Sequence, residues 1–331
     1  MENKNGIFWM LGAALLFILQ ISLAANFLLV GVVLGLASIG GTSSFDEQLF
    51  DGKSGADRKV AIIDLRGVIS YEVPGASGRP MMDDMLEQLK QAQEDEDVAA
   101  IVLNVDSPGG EITASDALYE EIKRCDKEKP VIVYINSLGA SGAYYAALGA
   151  RKIIASELSI TGSIGVLLQT INYEKLANFI GIQTVTFKSG GMKDILNPSR
   201  PMTEEEKIYI QNMVGESYAK FVSVVVQRRN LDDQKFRASI GDGRILSGRA
   251  ALGQGLIDGV GYLRDAIFQA KQMAKLKENA PAVRYIAPFH LGQLFRIFGK
   301  AAESSLRVQV GPEFRLEPGK LYYISPHIFA R

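Results

Sequence analysis

A serine set between small residues, Ala140-Ser141-Gly142, follows the β-branched run Val131, Ile132, Val133, Ile135 and precedes an Ala/Tyr-rich stretch of helical composition. Small neighbours at a strand-to-helix junction let a substrate approach closely and leave backbone N–H groups free. The hydroxyl there has two readings: a nucleophile with oxyanion donors beside it, or a small residue capping a buried helix. Ser141 alone does not separate them. A nucleophilic serine needs a base, and histidine is almost absent, with only His290 and His327, both near the C-terminus. A lysine serves instead where burial disfavours its ammonium form. Lys188 and Lys193 bracket the glycines of Lys188-Ser-Gly-Gly-Met-Lys-Asp194, and Ser163 in Thr161-Gly-Ser-Ile-Gly165 is a candidate to hold such a lysine. Their ordinary state is a solvated surface cation, so residue types leave the base open. The serine also departs from the G-x-S-x-G elbow, since Ala143 stands at the last position.

A third loop, Ser107-Pro108-Gly109-Gly110, can turn its N–H groups toward a ligand oxygen, although Pro-Gly is also an ordinary turn. All three loops follow apolar runs that read as strands. Lys59–Ser70 reads as a strand, a Gly turn and a second short strand, and Val98–Asn104 as a buried strand. Further strands are expected over 152–155, 165–169 and 183–187. Helices are expected over 82–96 and 113–125, where apolar residues recur at helical spacing. This alternation predicts an α/β fold with a largely parallel sheet, whose strand ends converge on one crevice. Beyond Pro201 a long helix is expected from Thr203 to Arg229, opened by a capping Thr and three glutamates, with shorter helices over 247–252 and 263–277.

The totals exclude several classes. A formal net charge of −1 without a basic block gives no electrostatic support for nucleic-acid binding. One cysteine, Cys125, rules out an intrachain disulfide and argues against a cysteine-built zinc site. No charged residue occurs from Ile7 to Ser44, which exceeds the roughly 20 residues that cross a bilayer as a helix. A cleaved signal peptide ending near Ser22-Leu23-Ala24 is the rival, but the apolar run continues past it, so a retained anchor is expected. The resulting organisation is a cytoplasmic stub and transmembrane anchor over 1–40, a linker over 41–57, a catalytic domain over 58–277 and a tail of unassigned role over 278–331. Lys4 before the span supports an inside N-terminus, with the bulk facing outward.

Four ordered motifs then carry a resemblance: Asp106-Ser-Pro-Gly-Gly110, Ala140-Ser-Gly-Ala-Tyr-Tyr145, Thr161-Gly-Ser-Ile-Gly-Val166 and Lys188-Ser-Gly-Gly-Met-Lys-Asp194. Over residues 58–275 the chain resembles the signal peptide peptidase A family of membrane-bound bacterial serine peptidases. The resemblance implies a Clp protease/crotonase-like fold of repeated β-β-α units, with a helical C-terminal extension. It implies Ser141 as nucleophile, Lys193 as base, Ser163 as the residue orienting the lysine, and the N–H groups of Gly110 and Gly142 as the oxyanion hole. No cofactor or metal is implied. It further implies apolar peptides, above all cleaved signal peptides, as substrates, and a single-repeat chain that assembles into a ring-like or dome-like homo-oligomer. In that family the serine and lysine can come from different subunits. The tail after Lys277 has no counterpart in the resemblance. Two other readings remain at this stage, a crotonase-like acyl-CoA enzyme and an inactive membrane scaffold.

Overall fold

The computed structural model describes residues 3–39, 44–53, 55, 58–288 and 322–324. Asn3–Ile39 forms a single helix, α1, whose side chains from Gly12 to Val30 are exposed. That window is long and apolar enough to cross a membrane.

The second unit is built on strands that lack the polar alternation of a half-exposed sheet. In β3 (Val98–Ser107) nine of ten residues are buried, and β2 (Lys59–Arg66) and β5 (Val131–Ala140) are also apolar on both faces. Such runs belong to parallel strands covered by helices on each side. Ala61, Ile63 and Leu65 of β2 enter one core, while Val60 and Ile62 enter the other. The first core is closed by α2 (Met81–Glu94), α3 (Ile112–Glu128), α4 (Gly142–Ala147) and α6 (Glu204–Arg229). The second is closed by Ala266, Ile267 and Ala270 of α9 (Leu263–Met273).

The sheet runs β1-β10-β2-β3-β5-β6-β9, where β1 is Asp46–Asp51, β6 is Lys152–Ala155, β9 is Gly259–Val260 and β10 is Ala282–Ile286. All its pairs are parallel except β1 with β10. A branch adds β7 (Ile160–Gly162), parallel to β5, and β8 (Ile245–Ser247), antiparallel to β7. Short helices α5 (Glu174–Phe179), α7 (Asp233–Ser239) and α8 (Gly248–Gly253) complete the unit. A separate pair joins β4 (Gly109–Glu111) to β11 (Tyr322–Ile324).

Three readings of the sequence change here. Within the stretch expected to be linker, residues 46–51 form the edge strand β1. Lys271 of α9 anchors it, with a buried ammonium that donates to Asp51 at 2.9 Å and to the Glu278 carbonyl at 2.9 Å. The start of the tail supplies β10, inserted between β1 and β2. Neither pairing is local, so neither leaves a trace in the nearby pattern. Residues 183–187 form no strand, because no described residue pairs with them, and over 165–169 only Leu167 makes a bridge among the described residues. Residues 289–321 and 325–331, including His290 and His327, lie outside the described part.

Tyr144 ties α4 to the loop after α8. It is fully buried and donates to the Leu256 carbonyl at 2.7 Å. Tyr144→Phe strands that acceptor in an apolar setting, with an expected loss of about 1–3 kcal/mol. Urea unfolding, followed by circular dichroism, measures it.

Candidate active site

Ser141 sits where β5 ends and α4 begins, 1% exposed, in a conformation with φ 55° and ψ −118°. Left-handed backbone at a residue with a Cβ costs on the order of 1–3 kcal/mol and persists only where its surroundings impose it. Here they do. The Ser141 N–H donates to the Gly162 carbonyl at 2.8 Å, and the Ser141 carbonyl accepts from Tyr145 at 2.8 Å. The Ser141 hydroxyl is buried and has no hydrogen-bond partner among the described residues. Ser141 takes the N-cap position of α4, as one reading of the sequence has it, but its hydroxyl makes no capping hydrogen bond there.

The motif residues around it hold the backbone in place. Asp106 accepts from the Leu138 N–H at 3.0 Å and from the Asn136 amide at 2.8 Å, bracing β5 before the turn. Thr161 donates to the Gly139 carbonyl at 2.8 Å. In the β5–β7 register Ala140 faces Gly162, so Ser141 and Ser163 each follow directly on the last paired residue of neighbouring strands. Ser163 is buried, has φ 52°, and donates its N–H to the Arg244 carbonyl at 2.8 Å.

Three glycines converge on the serine turn. A Cβ on Gly142 would lie 3.1 Å from the Gly110 nitrogen, so the two N–H groups expected to bind an oxyanion are neighbours. Gly109, with φ 95°, has its bare Cα against the Gly142 nitrogen, 2.5 Å from where a side chain would begin. Gly109 belongs to the paired-glycine loop that the sequence offers as a source of N–H groups, whereas Ser115 of α3 escapes sequence reasoning. The Ser115 hydroxyl is fully buried without a partner and fills the space where a Gly142 side chain would go. Its only sequence signal is a small polar residue on the buried face of a helix.

Lys193 is not brought to Ser141 within this chain. It lies exposed in a 3-10 turn, Gly191–Asp194, and its ammonium makes no hydrogen bond or ion pair among the described residues. The turn itself is clipped down. Asp194 accepts from Lys188 at 2.6 Å and from Arg200 at 2.8 Å, and Arg200 also bonds Glu206, which closes the capping box of α6 with Thr203. The Arg200 guanidinium, helped by Lys188 at Asp194 and by the Thr203 N–H at Glu206, holds both carboxyls below their ordinary range, Glu206 at about 2. A carboxyl with a lowered folded pKa stabilises the fold above its unfolded pKa and loses that contribution as pH falls through the folded value. Acidification from pH 4.5 toward 2 is therefore expected to release the lysine turn; faster hydrogen exchange at residues 188–206 over that window reports it.

Comparison with known proteins bears on the whole arrangement. Residues 123–277 match peptidase family S49, and residues 69–159 match the Clp protease family. A Methanocaldococcus jannaschii protein provisionally named a protease is 42% identical over 197 residues, 60% of this chain and 63% of its own length. An Enterococcus faecium protein provisionally named signal peptide peptidase SppA is 36% identical over 72% of this chain and 70% of its own. The chloroplastic serine protease SPPA of Arabidopsis thaliana is 34% identical over 69% of this chain and 34% of its own. The chain thus spans less than two thirds of the archaeal relative and about a third of the plant one. The family match over residues 123–277, the Clp protease-like α/β fold and the similarity to the Enterococcus faecium protein over 70% of its length together place this chain in peptidase family S49.

Proposed function

We propose that the protein is a membrane-anchored serine endopeptidase whose Ser141–Lys193 dyad hydrolyses apolar peptides such as released signal peptides. The observation that carries the reading is the Ser141 turn: a buried hydroxyl without a partner, beside the N–H groups of Gly110 and Gly142. Ser141 Oγ attacks the peptide carbonyl and gives its proton to the amine, the two N–H groups hold the oxyanion, and the amine protonates the leaving nitrogen. Water then releases the acyl group.

The lysine comes from a neighbouring copy in a homo-oligomer. Lys193 is carried by a segment with exposed apolar side chains at Phe179, Val185 and Phe187, the last 95% exposed, and with no strand partner in its own chain. Burying that face against a second copy removes the apolar surface and brings the ammonium to a site that lacks one. Ser163, which follows the paired end of β7 as Ser141 follows that of β5, then orients it. Helix α1 holds the domain at the bilayer, on the extracytoplasmic side, where cleaved apolar segments collect.

A fluorophosphonate probe tests the reading. Ser141 is expected to carry the adduct, mapped by peptide mass. An unlabelled Ser141 would favour a crotonase-like thioester enzyme, which needs the oxyanion hole and no nucleophilic serine.

A further inference from the structure

Strands β10 and β2 separate before either of them ends. Their parallel pairing stops at Arg284 opposite Ile62, while β2 stays with β3 as far as Arg66 and β10 stays with β1 as far as Ile286. A cavity of about 500 Å³ lies in the split. Its place is the carboxyl end of two parallel strands, where open α/β sheets take their ligands. Its volume falls within the roughly 300–1,000 Å³ of small-molecule sites. Among the described residues, its walls include none from the Ser141 turn.

Successive strand residues point to opposite faces of a sheet, so a cavity in a split is lined from both. From the α2 face come Phe45, Met81 and Met85, an apolar wall whose methionines adapt to varied shapes. That wall is held in place. The Phe45 N–H donates to the Gln91 side chain at 2.7 Å, and the Phe45 carbonyl accepts from it at 2.9 Å. Buried Asp84 clamps the loop above, accepting from the Ser77 N–H at 2.8 Å and from Arg79 at 3.2 Å, which also answers its charge. Tyr285 lines the same side; it is 4% exposed, and its hydroxyl is buried with no partner. From the other face come Asp64, Arg66 and Arg284. One Asp64 oxygen is taken by the Asn104 amide at 2.6 Å. The other stands 3.7 Å from Arg66 and 3.6 Å from Arg284, too far for a hydrogen bond to either. The Arg284 guanidinium lies over the Phe50 ring, 4.6 Å from its centroid, and its buried Nε donates to nothing. Two guanidiniums thus share one carboxylate at a distance, which leaves a positive charge unanswered. Buried donors without acceptors are costly and rare, and this one cavity has two, Tyr285 Oη and Arg284 Nε.

We propose that this cavity is a binding site for an apolar carboxylate. The ligand's apolar body lies along Phe45, Met81 and Met85, its carboxylate pairs with Arg66 and Arg284, and the Tyr285 hydroxyl donates to it. The charge left over by Asp64 favours an anion over a neutral amide of the same shape. A fatty acid and an apolar peptide with a free C-terminus share this chemistry. Residues 66–81 wall the cavity near both of their ends and carry Ile69 between them, bonded through its backbone to Gly109 and Glu111 beside the oxyanion turn. Binding is therefore read in that segment. Nothing in this site depends on the dyad.

Full-length protein in detergent is titrated with octanoate and with acetylated tri-leucine acid, each beside its own amide. Slowed hydrogen exchange at residues 64–88 and 282–287 gives the affinities. At least one acid is expected to bind tenfold or more tighter than its amide, and the acid that does so names the source, a lipid chain or a peptide end. Arg284→Gln is expected to weaken the acid about tenfold and the amide not at all, for one charged hydrogen bond. Tyr285→Phe is expected to weaken it about fivefold without lowering the Tm of the ligand-free chain, since its hydroxyl bonds to nothing there. A hydroxyl with a merely structural role would do the reverse. Acids and amides that bind alike, protection confined to the Ser141 turn, or variants that bind as wild type does would each overturn the proposal.

Discussion

Ser141→Ala and Lys193→Ala are each expected to lower kcat toward peptides on the order of a million-fold, and mixed oligomers of the two inactive proteins to recover about one quarter of wild-type activity. The size of the single losses follows other serine peptidases, where nucleophile and base act as a unit and losing either removes nearly all the chemistry. The recovery follows from where Lys193 stands. It is exposed and makes no hydrogen bond or ion pair among the described residues, while the Ser141 hydroxyl is buried and without a partner. In a ring that joins unlike faces, each site would draw its serine from one subunit and its lysine from the next. With subunits mixed at random, half of the serines and half of the lysines are intact, so about one site in four is whole. A dyad made within one chain gives no recovery at any mixing ratio. The assay is peptide hydrolysis after co-expression at equal dose, with size-exclusion chromatography confirming that mixed oligomers form.

The parts of this protein visible in the sequence are those whose cause is local. β3 and β5 are legible because an unbroken apolar run has no other use in a covered parallel sheet. α6 is legible from Thr203 and three glutamates, and the capping box is there. Ser141, Gly110 and Gly142 were nameable from four short motifs, and the fold brings them to one turn. What escaped depends on partners far along the chain. β1 and β10 pair across 220 residues or more, and the run Tyr322-Tyr323-Ile324 means little until β4 is known to need a neighbour. Residues 183–187 fail in the opposite sense. Their composition suits a strand, but a strand requires a partner, and none of the described residues provides one. The alternation rule sees only the strand itself.

The glycines of the oxyanion turn should differ in whether a second change can rescue them. Gly110→Ala places a methyl group onto the Ile69 carbonyl oxygen and 2.6 Å from both the Ile69 nitrogen and carbonyl carbon. That wall is backbone fixed by two bonds, Ile69 N–H to the Gly109 carbonyl and Glu111 N–H to the Ile69 carbonyl, each 2.9 Å. The turn must move instead, and one oxyanion donor leaves its place. Loss of one donor costs about 100- to 1,000-fold in kcat, with KM much less affected. No single side-chain change relieves it. Gly142→Ala meets chiefly the Ser115 hydroxyl, which belongs to a side chain and bonds to nothing else described, with the Tyr323 carbonyl oxygen next at 2.9 Å and the Gly110 nitrogen at 3.1 Å. It is expected to lose activity comparably, and Ser115→Ala in the same chain to recover part of the loss, about tenfold, since the tightest overlap is gone and the Tyr323 carbonyl oxygen at 2.9 Å is left to shift by a few tenths of an ångström. A double-mutant cycle on kcat reads the coupling. Independent effects of the two changes would mean that Ser115 does not set the space at Gly142. Thermal unfolding of all four proteins separates a displaced donor from a chain that fails to fold.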